Sequence, residues 1–185
     1  MRLFLYPRIN NIMNETIKSA SFILLCIILA RFALPANITP MIAMAVFLPY
    51  VTNNKHLQIL LPISILFITD IFLGFYGATM FFTYGTFLLI SLLSRKTYDG
   101  KYTGILKTSC LSVLIWHIIV NFGWFLRFEE GCGNTGGALS LTETFTAALP
   151  WDLKILTSTL AFSSLFYGCN YIVKLMGRSL RNKAY

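Results

Sequence analysis

Charged side chains are scarce in this sequence. Only 12% of the 185 residues are charged, and seven of them are acidic, whereas about 25% is usual for a soluble domain. Two histidines and four cysteines are also few, and neither type recurs at the spacing of a metal site or a disulfide framework. The sequence therefore excludes an ordinary soluble globular protein and predicts no metal centre.

Apolar residues are correspondingly abundant. Hydrophobic residues make up 56% of the chain and the mean hydropathy is +0.69, which is too apolar to be hidden in one core, so lipid must cover the surface. The net charge of +8 does not indicate nucleic-acid binding, because the basic residues fall between apolar segments and form no continuous basic face. We predict an all-α integral membrane protein in a lipid bilayer.

The apolar segments predict six transmembrane helices in a single domain over residues 1–185, after a cytoplasmic leader over residues 1–15. The first segment is interpreted as a helix and not as a signal peptide, because Arg31 and Phe32 stand where small cleavage-site residues belong. The expected helices are 16–34, 40–53, 57–73, 78–94, 105–126 and 150–176.

Three of these segments carry further expectations. The second helix is too short to cross a hydrocarbon core about 30 Å thick, so residues 34–38 are expected to dip into the membrane, where such backbone must be buried in protein or line a wet cavity. Pro62 is expected to kink the third helix, and Gly85 to admit close packing in the fourth.

The distribution of charge predicts the orientation. With six spans both termini lie on one side, and that side receives twelve of the fifteen lysines and arginines. The other side receives only Arg31, Arg127 and Lys154 together with most acidic residues. Because cytoplasmic loops are enriched in lysine and arginine, both termini are expected in the cytoplasm.

The long outer loop over residues 127–149 is expected to contain a short interfacial helix. Ser140 and Glu143 form a capping-box pattern, and the following apolar residues keep helical spacing until Pro150, which is expected to stop the helix. The same loop spells a G-x-G-x-x-G pattern over residues 131–136. No strand precedes that pattern, so a dinucleotide cofactor is not predicted.

Polar residues placed where lipid should forbid them are the candidates for function. His117, Asn121 and Trp124 share one face of the fifth helix and are candidates to contact a solute. The structural alternative is that His117 makes an interhelical hydrogen bond and that Trp124 anchors the helix at the membrane interface. Asp70 has two predicted roles. It is expected either to accept hydrogen bonds from a ligand, or to cap its helix or pair with Arg31 or Arg127. The predicted substrate-binding residues are Asn37, Thr39, Asp70, His117, Asn121 and Trp124.

Asn37 and Thr39 carry the same ambiguity, because each either caps the second helix or offers an amide or hydroxyl group to a solute. All of these candidates converge on the outer half of the bundle. That convergence favours one binding pocket over several unrelated structural roles.

Four short segments carry a family resemblance: PANITPMIAMA (35–45), DIFLGF (70–75), NFG (121–123) and ALP (148–150). They resemble a family of small uncharacterised bacterial six-helix membrane proteins, which in turn is similar to the substrate-binding S components of energy-coupling-factor (ECF) vitamin transporters. The resemblance implies a bacterial inner (plasma) membrane location and a pocket opening outward.

In such transporters the S component docks on a membrane scaffold subunit with ATPases, through an Ala-x-x-x-Ala pattern in its first helix. The nearest match here is Cys26-x-x-x-Ala30, so the protein either docks on such a scaffold or acts alone or with another partner. The leading hypothesis is a non-enzymatic component that takes up a small vitamin-like solute without a cofactor. The alternatives are an accessory or assembly subunit, and an intramembrane enzyme that uses His117 with Asp70.

Overall fold

The computed structural model describes residues 27–35, 37–77, 79–126 and 139–182, with side chains as far as Leu175. The first helix, α1, is described over residues 27–33. The others are α2 (Met41–Val51), α3 (Lys55–Leu73), α4 (Thr79–Thr97), α5 (Tyr102–Phe125) and α6 (Leu141–Asn182). The all-helical class is confirmed for these residues. The predicted leader and the glycine-rich pattern over residues 131–136 lie outside them.

Helix α2 lies at the centre of the bundle. It has 11 residues, and nine of them are buried. It contacts α3, α4, α5 and α6. A helix that is apolar on every side is stable only when other helices surround it, which explains why this short segment occupies the core.

Helix α3 has well-defined ends. The Asn54 side chain accepts hydrogen bonds from the backbone of His56 and Leu57, and the helix ends at Gly74 with φ 94°. A positive φ at this point suits glycine because it has no Cβ. Tyr76 after α3 and Tyr84 of α4 both return to Asp70 near the end of α3.

The prediction that Pro150 stops a helix is wrong. Ser140 and Glu143 do form the capping box, with both the Ser140 N–H and its hydroxyl donating to Glu143 Oε2 at 2.8 Å. These two bonds lower the pKa of the exposed Glu143 carboxyl. The helix that begins there continues through Pro150 to Asn182. A proline inside a helix removes one backbone hydrogen bond, and α6 continues in spite of that loss.

The bundle has two chemically different ends. At one end, which we call the Asp70 end, Arg31 of α1 meets Asp70 of α3, and Ser158 of α6 donates to the Thr39 carbonyl at the start of α2. At the other, the Asp99 end, Tyr50 of α2 donates to the Lys101 carbonyl between α4 and α5. These contacts fix which termini of the helices lie side by side.

Small polar residues share the interior of the bundle with its apolar core, and many large apolar residues lie on its surface. Thr86, Ser109 and Ser163 are fully buried, whereas Phe72 and Phe81 are 74% and 82% exposed. An apolar surface of this extent is unusual for a soluble monomer. Two of the described helices, α3 and α5, are long and apolar enough to cross a membrane by length and composition, and α2 is apolar but shorter.

Candidate functional site

Two polar clusters occupy the Asp70 end of the bundle. The Asp70 cluster consists of Arg31, Asp70, Tyr76 and Tyr84. The His117 cluster consists of His117, Asn121, Phe145 and Asp152. They draw on five helices and the α3–α4 connection, so each depends on the packing of the whole end of the bundle.

The Asp70 carboxylate is saturated by protein donors. Asp70 is 1% exposed, and its Oδ1 accepts a charged hydrogen bond from Arg31 Nη2 at 2.6 Å. The hydroxyls of Tyr84 and Tyr76 donate to Oδ2 at 2.9 and 3.2 Å. Of the alternatives that the sequence left open for Asp70, the ion pair with Arg31 is therefore present in the structure.

Tyr76 is held in this cluster by the short connection between α3 and α4. Burial raises the pKa of Tyr76 to about 12, and the negative charge of Asp70 contributes in the same direction. The phenol therefore remains protonated at neutral pH and donates its hydrogen to the carboxylate. With Arg31 on one oxygen and two phenols on the other, little of the Asp70 carboxylate is left to bind a solute.

The His117 cluster is built differently. His117 Nδ1 lies 2.7 Å from Asp152 Oδ2, and Asn121 Nδ2 donates to the same oxygen at 2.9 Å. Asn121 Nδ2 also lies 3.1 Å from His117 Nδ1. One ring nitrogen cannot both donate to Asp152 and accept from Asn121, so the shorter contact favours an Nδ1–H that donates to Asp152 Oδ2.

Two polar atoms of the His117 cluster have no hydrogen-bond partner among the described residues. Both hydrogen bonds to Asp152 reach Oδ2, so Oδ1 has no protein donor among the described residues. His117 Nε2 likewise has no protein partner there. Phe145 covers the imidazole edge-to-face, with 5.2 Å between the ring centroids. The cluster thus keeps a carboxylate oxygen and a ring nitrogen, beside an aromatic face, whose hydrogen-bonding capacity the described residues do not use.

The other predicted site residues take no part in either cluster. Asn37 lies in the loop before α2 with φ 68°, a conformation that asparagine tolerates better than most residues. The Thr39 hydroxyl accepts from the Met41 N–H at 3.3 Å, as a helix-capping group does. Trp124 is 45% exposed on the outside of the bundle. The structure thus brings together only His117 and Asn121 of the six predicted residues.

Asp152 and Phe145 were not predicted as site residues, although the sequence contains a signal for them. They are seven residues apart, so they share a face if one helix runs through Pro150. The expected helix stop at Pro150 separated them into a loop and a span. Arg31 was foreseen as a partner of Asp70, whereas nothing in the local pattern indicated Tyr76 or Tyr84.

No group of metal ligands adds to these clusters in the described part of the chain. No three histidine, cysteine or acidic side chains converge there as metal ligands would. An open apolar groove of about 370 Å³ runs along the outside of α4 and α5, and none of the predicted site residues lines it. The lining residues are Phe81, Phe82, Gly85, Leu88, Leu89 and Ile119.

Comparison with known proteins assigns the chain to a family. No curated protein and no solved structure matches it significantly. The profile of DUF6580, described as a family of unknown function, matches residues 10–180, which is most of the chain and includes both clusters. The chain therefore belongs to the DUF6580 family.

Proposed function

We propose that this chain is a six-helix integral membrane protein that binds a small solute at its Asp70 end, as a component of an uptake system. Support for the membrane setting comes from the surface. Large apolar side chains are exposed along α3, α4, α5 and α6, and an apolar surface of this extent is stable when lipid covers it.

The moderate hydropathy of α4 and α6 is compatible with this setting. Both helices direct serine and threonine into the interior, including the fully buried Thr86 and Thr159. Their outer faces carry exposed leucines such as Leu88 and Leu165. Membrane helices that pack closely use small and polar residues at their contacts, so the average over such a helix understates how apolar its lipid face is.

The observation that carries the solute-binding proposal is the unpaired side of the His117 cluster. Asp152 Oδ1 accepts a donor from a ligand, His117 Nε2 offers a second contact, and the Phe145 ring encloses the site. An ionisable group within a membrane bundle is costly to retain, and its exposed lone pairs favour recognition of a polar, partly aromatic solute of vitamin size.

The orientation and the energy source form the second part of the proposal. The basic residues Arg95, Lys96 and Lys101 lie at the Asp99 end, so that end faces the cytoplasm and the His117 cluster faces outward. Uptake depends on a membrane scaffold with ATPases, as in the S components that the sequence resembles, or on another energy source.

A subunit role is the second candidate function, and the Asp70 cluster favours it. The Asp70 carboxylate accepts all of its hydrogen bonds from within the chain, and these bonds join α1, α3 and α4, as those of a purely structural group would. The hypothesis of an intramembrane enzyme requires a contact between His117 and Asp70. In the structure His117 pairs with Asp152 instead. A non-enzymatic binding component remains the proposal.

Native mass spectrometry of the protein in mild detergent tests this proposal. We expect a bound small molecule that is lost in Asn121→Ala, because that variant removes a donor that holds Asp152 in place. Asn170→Ala is the matched control: Asn170 Nδ2 bonds to the Tyr50 carbonyl at the Asp99 end, so this variant keeps the bound mass.

Two results would overturn solute binding at this cluster. One is a bound molecule that both asparagine variants retain equally. The other is an unliganded mass with a stoichiometric second polypeptide, which supports the subunit role instead.

A further inference from the structure

Three hydroxyl groups in the middle of the bundle have no hydrogen-bond partner among the described residues. They belong to Ser91 of α4, Ser112 of α5 and Thr159 of α6. All three residues are fully buried. A buried hydroxyl without a partner costs about 1 to 3 kcal/mol, so three of them in one small bundle require an explanation.

Other hydroxyls in the same helices satisfy themselves locally. Thr86, Ser94 and Ser164 each donate to the carbonyl four residues earlier, at 2.6 to 2.7 Å. Back-bonding of this kind is always available to serine and threonine within a helix. The hydroxyls of Ser91, Ser112 and Thr159 do not make this bond, although all three residues are fully buried.

The three unpartnered hydroxyls lie at the same level of the bundle. Thr97 of α4 contacts Thr108 of α5, and Phe87 contacts Trp116, which places Ser91 at the level of Ser112. The register between α5 and α6 follows in the same way.

Ser163 of α6 contacts Ser109 of α5, and Asp152 contacts His117. Interpolation between these two contacts places Thr159 at the level of Ser112 as well. Each of the three helices therefore carries one unpartnered hydroxyl at the same level of the bundle.

Further polar pairs continue this layer along α5 in both directions. Toward the Asp99 end come Ser109 with Ser163 at 3.0 Å and Thr97 with Thr108 at 2.9 Å. Beyond them the Asp99 carboxylate packs directly against Gly104, where no space is left for a Cβ. Toward the Asp70 end the next polar group is His117, about 7.5 Å along the helix axis from Ser112.

We infer that water fills the layer between Ser91, Ser112 and Thr159 and joins the His117–Asp152 pair to the Asp99 end as a path for protons. Internal water binds where several polar groups converge, and hydroxyl groups both donate and accept. Each step moves one proton onto a lone pair while the same oxygen releases its own proton, so no electron is transferred. The inference requires the membrane placement proposed above, but it does not depend on solute binding.

Proton uptake by proteoliposomes tests the path. The purified chain is reconstituted into vesicles of neutral and anionic phospholipid that contain a pH-sensitive dye, and a potassium gradient with valinomycin drives proton entry. We expect the wild-type protein to acidify the vesicles faster than protein-free vesicles. Thr159→Val, which keeps the side-chain shape and removes the hydroxyl, is expected to reduce entry to the protein-free rate, and Thr159→Ser to restore it.

Thr157→Val is the matched control on the same helix. The Thr157 hydroxyl is exposed and donates to the carbonyls of Leu153 and Lys154, so its loss leaves proton entry unchanged. Carbonate extraction of the vesicles separates the two proposals. A wild-type protein that is extracted by carbonate overturns the membrane placement.

Integrated wild-type protein without proton entry overturns the path alone. Equal entry through Thr159→Val and Thr157→Val overturns it too.

Discussion

At the scale of single residues, Asp70 shows how a charge is retained in an apolar helix. Its carboxylate is 1% exposed and is bound by one guanidinium and two phenols. Taking a carboxylate out of water costs several kcal/mol, which is recovered only where the geometry is good and further hydrogen bonds are made. The Asp70 cluster meets both conditions, so it acts as a joint between α1, α3 and α4.

Asp70→Asn is expected to lower the stability of the protein in detergent by about 3 kcal/mol, because the partly buried Arg31 loses its counter-charge. The thermal midpoint should fall by several degrees. Tyr84→Phe removes one neutral donor from the same carboxylate and is expected to cost about 1 kcal/mol. The measurement is thermal unfolding of the three proteins side by side. An unchanged midpoint in Asp70→Asn would show that the ion pair contributes nothing.

The sequence identified some of these residues and missed others for a physical reason. His117 and Asn121 were recognisable because they lie one helical turn apart, and the contact between Asp70 and Arg31 was among the alternatives considered. Tyr84 and Asp152 come from other helices, at positions fixed only by how those helices pack. Helical periodicity describes one face of one helix and carries no information about its neighbours.

At the scale of elements, two glycines in the α4–α5 pair have opposite environments. A Cβ added to Gly123 would lie 2.6 Å from Cγ of Phe82, whereas one added to Gly85 would meet nothing within 4 Å. The expectation that Gly85 admits close packing is therefore wrong, and Gly123 is the residue that permits it. Both glycines look alike in the sequence because each interrupts an apolar helix.

Alanine substitution should separate these two glycines. Gly123→Ala is expected to destabilise the protein by about 1 to 3 kcal/mol. The added methyl group would overlap the ring and Cβ of Phe82, and atoms so close to the Phe82 backbone cannot move aside easily. Gly85→Ala is expected to be neutral or to stabilise by up to about 1 kcal/mol, since alanine favours a helix where space is free. Thermal unfolding in the same detergent measures both. Equal effects of the two substitutions would contradict the close α4–α5 contact.

At the scale of the whole molecule, apolar segments in the sequence placed α2 to α5 to within about one helical turn of their ends in the structure. The end of the outer loop was less predictable. Pro150 predicts the end of a helix, whereas α6 continues through it. Whether a proline breaks a helix depends on the partners available to the freed carbonyl. Those partners belong to the tertiary structure and not to the local sequence.

The membrane orientation is a property of the whole molecule and can be tested with single cysteines. Tyr98 is exposed at the Asp99 end, Ser140 is exposed before α6, and Leu111 is exposed in the middle of α5. Each is replaced by cysteine in a chain that lacks its natural ones, which are Cys26, Cys110, Cys132 and Cys169. The reagent is a maleimide that does not cross membranes.

Ser140→Cys is expected to react in intact cells, and Tyr98→Cys only after the membrane is opened, because the proposed orientation places the basic residues beside Tyr98 in the cytoplasm. Leu111→Cys should remain unlabelled in both conditions. A maleimide reacts with the thiolate, which does not form in lipid, whereas a side chain that is 41% exposed would react if water surrounded the bundle. Labelling of Leu111→Cys would therefore contradict the lipid-facing surface, and labelling of Tyr98→Cys in intact cells would reverse the orientation.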